Sequence, residues 1–346
     1  MELSFDQKEC LSKIKAFLNE YEIKTRQSAD AKFLHNNGEE NLVAVLGYAG
    51  SGKTELLRLL VEFLDKEGVN SVNVDYESRL KDGNRYYAVL APTNKAVSVL
   101  KTLGLKATTL HRILYSPLYD PNYEMISDWL QGKARKPLLA TFDDEKLNNI
   151  KIFFSAHPSI PGAFASVGIR TSDFIIGWKR RDSPLDIGII DESSMLTQTQ
   201  INDLKEVFKV LILFGDPGQL SPIEQSGQMV FHKLSDKKKF FLTKIHRQTE
   251  DNPILELASF LRDPEITYMD FDGQIKELSR SDQRIKVSSR VCPNLMCESP
   301  VLVWRNQTRI RLISAFRKAF NITESSLMKG EPLICDGIEL PNKYRK

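Results

Sequence analysis

Gly47-Tyr48-Ala49-Gly50-Ser51-Gly52-Lys53-Thr54 is the stretch on which the reading of this chain turns. It has the form G-x-x-x-x-G-K-[ST]. The apolar run Leu42-Val43-Ala44-Val45-Leu46 precedes it, and the helix-like segment Glu55-Leu56-Leu57-Arg58-Leu59-Leu60-Val61 follows. That strand–loop–helix setting is the one a phosphate-binding loop requires. Gly47, Gly50 and Gly52 let the backbone fold tightly, so that the N–H groups from Gly47 through Thr54 face inward at phosphate oxygens. The helix beginning near Lys53 adds its positive dipole end. Lys53 reaches the β- and γ-phosphates as a point charge, and the Thr54 hydroxyl is placed to ligate Mg²⁺. The loop points to a nucleoside triphosphate and leaves open what its hydrolysis drives.

The loop sits in a chain of 346 residues, long enough for two or more domains. Lys and Arg number 48 against 45 Asp and Glu, a net charge of +3. So small an excess does not by itself argue for nucleic acid. Basic residues do cluster in Lys133-Ala134-Arg135-Lys136, Lys179-Arg180-Arg181 and Lys237-Lys238-Lys239, where the plain expectation for most is a solvated face. Cysteines stand at 10, 292, 297 and 335 without C-x-x-C spacing, which disfavours zinc and suits reduced thiols in a cytoplasmic protein. No signal-like N-terminus and no membrane-length apolar run is present.

Apolar spacing at Leu11, Ile14, Phe17 and Leu18 predicts a helix over 6–20 with Asp6 as its N-cap. Residues 24–41 read as a polar loop or frayed helix. Strands are expected at Tyr86–Leu90, Ile187–Ile190 and Val210–Phe214, with a helix from Lys95 to Leu103. Strands alternating with helices indicate an α/β fold with a parallel sheet. The pattern breaks between Leu114 and Asp186, in a segment too long for a bare loop. After about residue 250 a second α/β pattern begins, with a strand expected at Pro300–Trp304 and a helix at Ile310–Phe320.

Two carboxylates, Asp191 and Glu192, end the buried strand Ile189-Ile190. In a protein with a phosphate loop, an acid there can hold Mg²⁺, and its neighbour can orient and deprotonate a water. A second apolar strand ends in Gly215-Asp216-Pro217-Gly218-Gln219-Leu220. Strand ends of a parallel sheet line the ligand crevice. Gln219, which both donates and accepts, can sense a γ-phosphate there.

Taken in order, Gly47–Thr54, Ala91-Pro92-Thr93-Asn94-Lys95-Ala96, Thr109-Leu110-His111, Asp191-Glu192-Ser193-Ser194-Met195, Gly215–Leu220 and Ile245-His246-Arg247-Gln248 resemble the superfamily 1 DNA helicases of the RecD/Dda-like, 5′-to-3′ class. The resemblance runs from about Phe5 to about Asn306, outside the 115–186 segment. It implies a P-loop NTPase fold with a first RecA-like motor domain at 1–114 and 187–248. An inserted subdomain at 115–186 and a partial second RecA-like domain at 249–346 would follow.

The same resemblance implies ATP and Mg²⁺ as ligands, with single-stranded DNA and duplex junctions as partners. Gln7 would read the adenine edge. Lys53, Glu192, Gln219 and Arg247 would be catalytic, with Glu192 as base and Arg247 as a finger from the second domain. Asp191 and Thr54 would hold the metal. His246 would stack on the adenine, with a simply packed histidine as the alternative. Pro92, Thr93, Asn94, Thr109, His111 and Asn306 would touch DNA, and the insertion would carry a strand-separating wedge, with Phe153, Phe154, Phe164 and Trp178 as its aromatic candidates. The further second-domain motifs of the class, an ATP-contacting arginine and a DNA-gripping Gln-Gly, are not found before Lys346. A truncated or reduced form is therefore expected. A truncated DNA-dependent ATPase or nucleotide-binding remnant without unwinding, and a P-loop kinase of small substrates, stand as the rival readings.

Overall fold

Apolar runs read as strands pair into one parallel sheet. The computed structural model describes residues 3–21, 41–74, 76–139, 142–222, 228–244, 252–263, 265–299, 301–303 and 305–323. The chain divides into two compact units, Met1–Asp120 with Ile175–Asp251, and Pro121–Phe174 with Asn252–Lys346.

In chain order the first part comprises α1 (Phe5–Glu20), β1 (Leu42–Gly47), α2 (Lys53–Lys66), β2 (Asn70–Ser71), β3 (Tyr86–Ala91), α3 (Asn94–Thr102), β4 (Ala107–Thr109), α4 (Leu110–Leu114) and β5 (Tyr115–Tyr119). Next come α5 (Pro121–Leu130), α6 (Asp144–Ala156) and α7 (Ile160–Ala165), then β6 (Ile175–Arg180), β7 (Leu185–Ile190), α8 (Gln198–Val207), β8 (Phe208–Gly215) and β9 (Lys239–Leu242). The rest is α9 (Pro253–Phe260), α10 (Tyr268–Ser281), α11 (Pro293–Glu298) and α12 (Asn306–Ala319).

The 7-stranded sheet runs β2-β3-β7-β8-β1-β9, with β4 also on β3. Every pairing in it is parallel. Its strands are apolar throughout because both faces are covered. Val43, Val45, Val89, Ile212 and Phe214 face α1, α2 and α3, while Ala44, Leu46, Leu90, Leu211 and Leu213 face α4 and α8. Consecutive residues thus alternate between two cores, as the two-residue period of a strand dictates. The fold is the expected α/β P-loop NTPase.

Helix α1 corrects one expectation. Ser4, not Asp6, is its N-cap: the Ser4 side chain accepts from the Gln7 N–H, and Gln7 Oε1 accepts from the Ser4 N–H at 3.0 Å. Asp6 is already inside the helix, where a cap's extended backbone is unavailable to it. Its carboxylate instead accepts the N–H groups of Thr243 at 2.9 Å and Lys244 at 3.0 Å, tying α1 to the chain that leaves β9.

The break in the α/β pattern is resolved as an antiparallel ribbon, β5 with β6, whose strands lead into and out of a helical segment. That segment has its own core of Ile126, Leu130, Leu147, Ile150, Ala163 and Phe164, ringed by Tyr123, Phe142 and Phe174. Phe164 is fully buried there, and Phe153 and Phe154 pack against the same core, so these wedge candidates hold the segment together. Trp178, on β6, is half-exposed.

Described residues from 252 onward form four helices joined by irregular segments and include no strand. The run Val301-Leu302-Val303 forms none: these residues are exposed and take part in no described ladder. Pro300, Trp304 and most of the polar 24–41 stretch lie outside the described residues. No described helix is long and apolar enough to cross a membrane.

The basic runs are largely neutralised in place. Arg181 is buried and pairs with Glu77 at 2.5 Å, Arg180 pairs with Glu206, Lys136 with Asp144 at 2.6 Å and Lys239 with Asp236 at 3.3 Å. Phe164→Ala is expected to remove about 3–5 kcal/mol of local stability. Hydrogen exchange should report it as lost protection over 121–174, with the amides of β1, β7 and β8 unchanged.

Candidate active site

Strand register decides which side chains meet. Leu46 lies opposite Gly215 across β1 and β8, and Ile190 opposite Leu213 across β7 and β8. Leu90 lies opposite Ile190, and Ala91 opposite Thr109. The phosphate loop, Asp191-Glu192, Asp216–Gln219, Pro92–Asn94 and Thr109–His111 therefore all leave the sheet at its carboxyl edge, where open parallel sheets bind ligands.

Within the loop the glycines have distinct reasons. Gly50 and Gly52 have φ of 84° and 82°, the left-handed region that favours glycine. Gly47 is needed for space: a Cβ there would stand 2.4 Å from Ser51 Oγ and 3.0 Å from the Leu242 Cβ. Lys53 opens α2 and donates to the Gly47 carbonyl at 2.6 Å and the Tyr48 carbonyl at 3.0 Å. Tyr48 is partly exposed, Ala49 is exposed beside it, and Thr54 follows Lys53 in the first turn of the helix. Ser51 Oγ is buried with no hydrogen-bond partner among the described residues. A buried, unsatisfied hydroxyl in a loop that opens a helix fits a phosphate oxygen as its acceptor.

Asp191 is buried at the end of β7, and its Oδ1 accepts the Glu192 N–H at 3.0 Å. Burial, then the adjacent Glu192 charge, pushes its carboxyl up to about 6, against the pull of that N–H and of Lys53. Asp191 and Glu192, adjacent carboxylates of which one is desolvated, and the Thr54 hydroxyl in the first turn of α2 are hard oxygen donors of the kind that suits Mg²⁺. Glu192 itself has φ of 54°, one of two non-glycine residues in the left-handed region among the described residues. Its Oε2 accepts from Gln219 Nε2 at 3.0 Å, and Gln219 Oε1 accepts from the Ser194 hydroxyl. Ser194 was not singled out as a site residue on sequence grounds. The available signal was a pair of hydroxyls directly after two carboxylates; both Ser193 and Ser194 are fully buried, and Ser193 donates to the Phe214 carbonyl at 2.9 Å.

Gln7 is buried. It donates to the Gly52 carbonyl at 3.3 Å, so α1 touches the phosphate loop while its amide oxygen serves the cap. On the other flank, Thr93 caps α3 by accepting the Ala96 N–H at 3.2 Å, and Pro92 and Asn94 bracket it at the surface. Thr109 precedes α4 as its N-cap without a side-chain cap bond. His111 is exposed and meets Trp178 edge-on at 4.1 Å, with Tyr115 at 5.0 Å. Desolvation against these rings lowers its pKa. Asn306 begins α12 in the second unit and is described with that unit alone. His246 and Arg247 lie outside the described residues.

A family model described as an AAA domain matches residues 23–282. No curated protein matches the chain. Among solved structures, the chain is similar to the Pif1 helicase from Candida albicans at 18% identity and a TM-score of 0.45, covering 94% of this chain and 56% of that one. It is also similar to the Pif1 helicase from Bacteroides in complex with ADP-AlF3 and ssDNA, at 18% identity and a TM-score of 0.41, covering 95% and 58%. The chain thus spans little more than half the length of these proteins.

The raised carboxyl of Asp191 carries a signed consequence. Its folded pKa of about 6 lies above the ordinary 3.8, so the stability it contributes is full below about pH 4 and is lost as pH rises through 6. Asp191→Asn, which mimics the protonated acid, is expected to make the ligand-free protein more stable at pH 8 by up to about 3 kcal/mol. The gain should vanish at pH 4, as read by urea unfolding at the two pH values.

Proposed function

The chain belongs to the AAA domain family, and on that premise we propose that it is an ATP-driven motor on single-stranded DNA, moving 5′-to-3′ and coupling hydrolysis to duplex unwinding. The observation that carries the reading is the shared carboxyl edge of one sheet. There a phosphate loop, a carboxylate joined to a glutamine, and the Pro92–Asn94 and Thr109–His111 segments stand on adjacent strands. Polarity, and DNA as the track, come from the resemblance carried by the motifs.

In the proposed cycle, Lys53 and the N–H groups of Gly47–Thr54 grip the β- and γ-phosphates. The Thr54 hydroxyl and the Asp191 carboxylate would hold Mg²⁺, which supplies charge neutralisation on the phosphate oxygens. Glu192 takes the proton of the attacking water, and Gln219 registers whether the γ-phosphate is present. Gln7 reads the adenine from α1. Arg247, with its planar fork, would stabilise charge spreading over the equatorial oxygens, and His246 would stack beside the base. Thr93, Asn94, Thr109 and His111 offer hydroxyl, amide and ring groups that suit phosphates and base faces without reading sequence. Alternating grip by this surface and one that includes Asn306 would convert closure and opening into steps. The proposed division keeps 1–114 with 187–248 as the first motor domain, 115–186 as an insertion and 249–346 as part of a second motor domain.

Lys53→Ala is expected to abolish ATP turnover, measured by phosphate release; surviving turnover would remove the loop from the mechanism. Single-stranded DNA should stimulate the wild-type rate. Its failure to do so would overturn the motor and favour the small-substrate kinase. On forked duplexes, strand release should require a 5′ tail, and release from a 3′ tail alone would overturn the assigned direction.

A further inference from the structure

A carboxylate only accepts hydrogen bonds, so the Gln219 group facing Glu192 Oε2 at 3.0 Å must be the NH₂ end of the amide. Gln219 Oε1 then points the other way, onto the Ser194 hydroxyl, which donates to it. Ser194 is fully buried, whereas Gln219 is exposed on a turn. An exposed glutamine loses considerable rotamer entropy when held in one pose. The buried hydroxyl is the fixed point that selects this pose and excludes the flipped amide.

The floor under this arrangement is rigid. Ser193 is bonded to the Phe214 carbonyl at the end of β8. A Cβ on Gly215 would stand 2.7 Å from both Ser193 Oγ and the Phe231 ring, so the serine pair and β8 approach as closely as a glycine allows. The turn bearing Gln219 is closed by its own backbone, with Gly218 N–H on Asp216 Oδ1 at 2.8 Å and Gln219 N–H on the Asp216 carbonyl at 3.2 Å.

We propose that Ser194 is a positioning residue that locks the Gln219 amide, making Gln219 a bridge between the base Glu192 and the γ-phosphate. An amide nitrogen carries two N–H donors. With one committed to Glu192, the other can meet a phosphate oxygen without releasing the first. The presence of the γ-phosphate and the orientation of the base are then set by one planar group, and Ser194 determines which way that group faces. This rests on the nucleotide-hydrolysis reading for its catalytic consequence, though not for the pose itself.

The test uses the full chain. Ser194→Ala is expected to lower kcat for ATP about tenfold with the nucleotide affinity little changed, the scale of one lost hydrogen bond. In a Gln219→Ala background the same substitution should cost nothing further, because its effect passes through Gln219. Independently of turnover, the Gln219 side-chain amide protons of ¹⁵N-glutamine-labelled protein, assigned by their absence in Gln219→Ala, should exchange faster with water in Ser194→Ala. Should that variant not fold, Ser194→Cys, with its weaker donor, should show the same faster exchange. A full additional loss in the Gln219→Ala background, or unchanged amide exchange, would overturn the proposal. A wild type that hydrolyses no nucleotide would instead overturn the hydrolysis reading, leaving the exchange measurement to decide the role of Ser194.

Discussion

Backbone hydrogen bonding between β1, β8 and β7 is the constraint on which the rest depends. In a parallel ladder each strand end is fixed relative to its neighbour by register, and a slip of one residue would turn every side chain to the opposite face. Here a slip is penalised twice, because Val43, Val45, Ile212 and Phe214 fill one core while Ala44, Leu46, Leu211 and Leu213 fill the other. Burial on both faces thus sets the axial position of Gly47, Asp191 and Asp216 together. The chemistry at the carboxyl edge inherits its geometry from hydrophobic packing several residues away.

That geometry joins two strand ends into one polar network, with Glu192 and Ser194 from the turn after β7 and Gln219 from the turn after β8. The charge of Lys53, from the helix after β1, acts on Asp191 beside them. Few of these bonds would be strong in water. At a partly buried edge they are worth more, and each group constrains the donor or acceptor choice of the next. Asp191 marks the cost of such a site: its carboxyl is held away from solvent beside a like charge. A fold selected for stability alone would neutralise that group.

Much of this was legible in the sequence. The strands at 42–46, 86–90, 187–190 and 210–214 were readable because strands buried on both faces are continuous apolar runs bounded by glycine, proline or acid. The phosphate loop was readable because Gly50 and Gly52 answer to backbone geometry alone. What the sequence hid depends on long-range contact. Asp6 looks like a cap until the N–H groups of Thr243 and Lys244, more than two hundred residues on, are seen to claim it. The run 179–181 looks like a basic patch, yet Arg181 is buried on Glu77. Val301-Leu302-Val303 has strand composition, but a strand also needs a neighbour. Ser194 carries no local signature beyond its position, because its partner lies on a different strand's turn.

The backbone of Glu192 has a wider implication. An L-residue at φ of 54° costs about 1–2 kcal/mol that glycine would not. Random drift toward a more stable protein would therefore find a glycine at this position attractive, and that single exchange would delete the carboxylate facing Gln219. Laboratory stabilisation campaigns, and designs that score only the ligand-free fold, would be drawn to the same change. At position 192, thermostability and the proposed base pull in opposite directions, so gains in melting temperature there should be treated as a warning sign rather than an improvement.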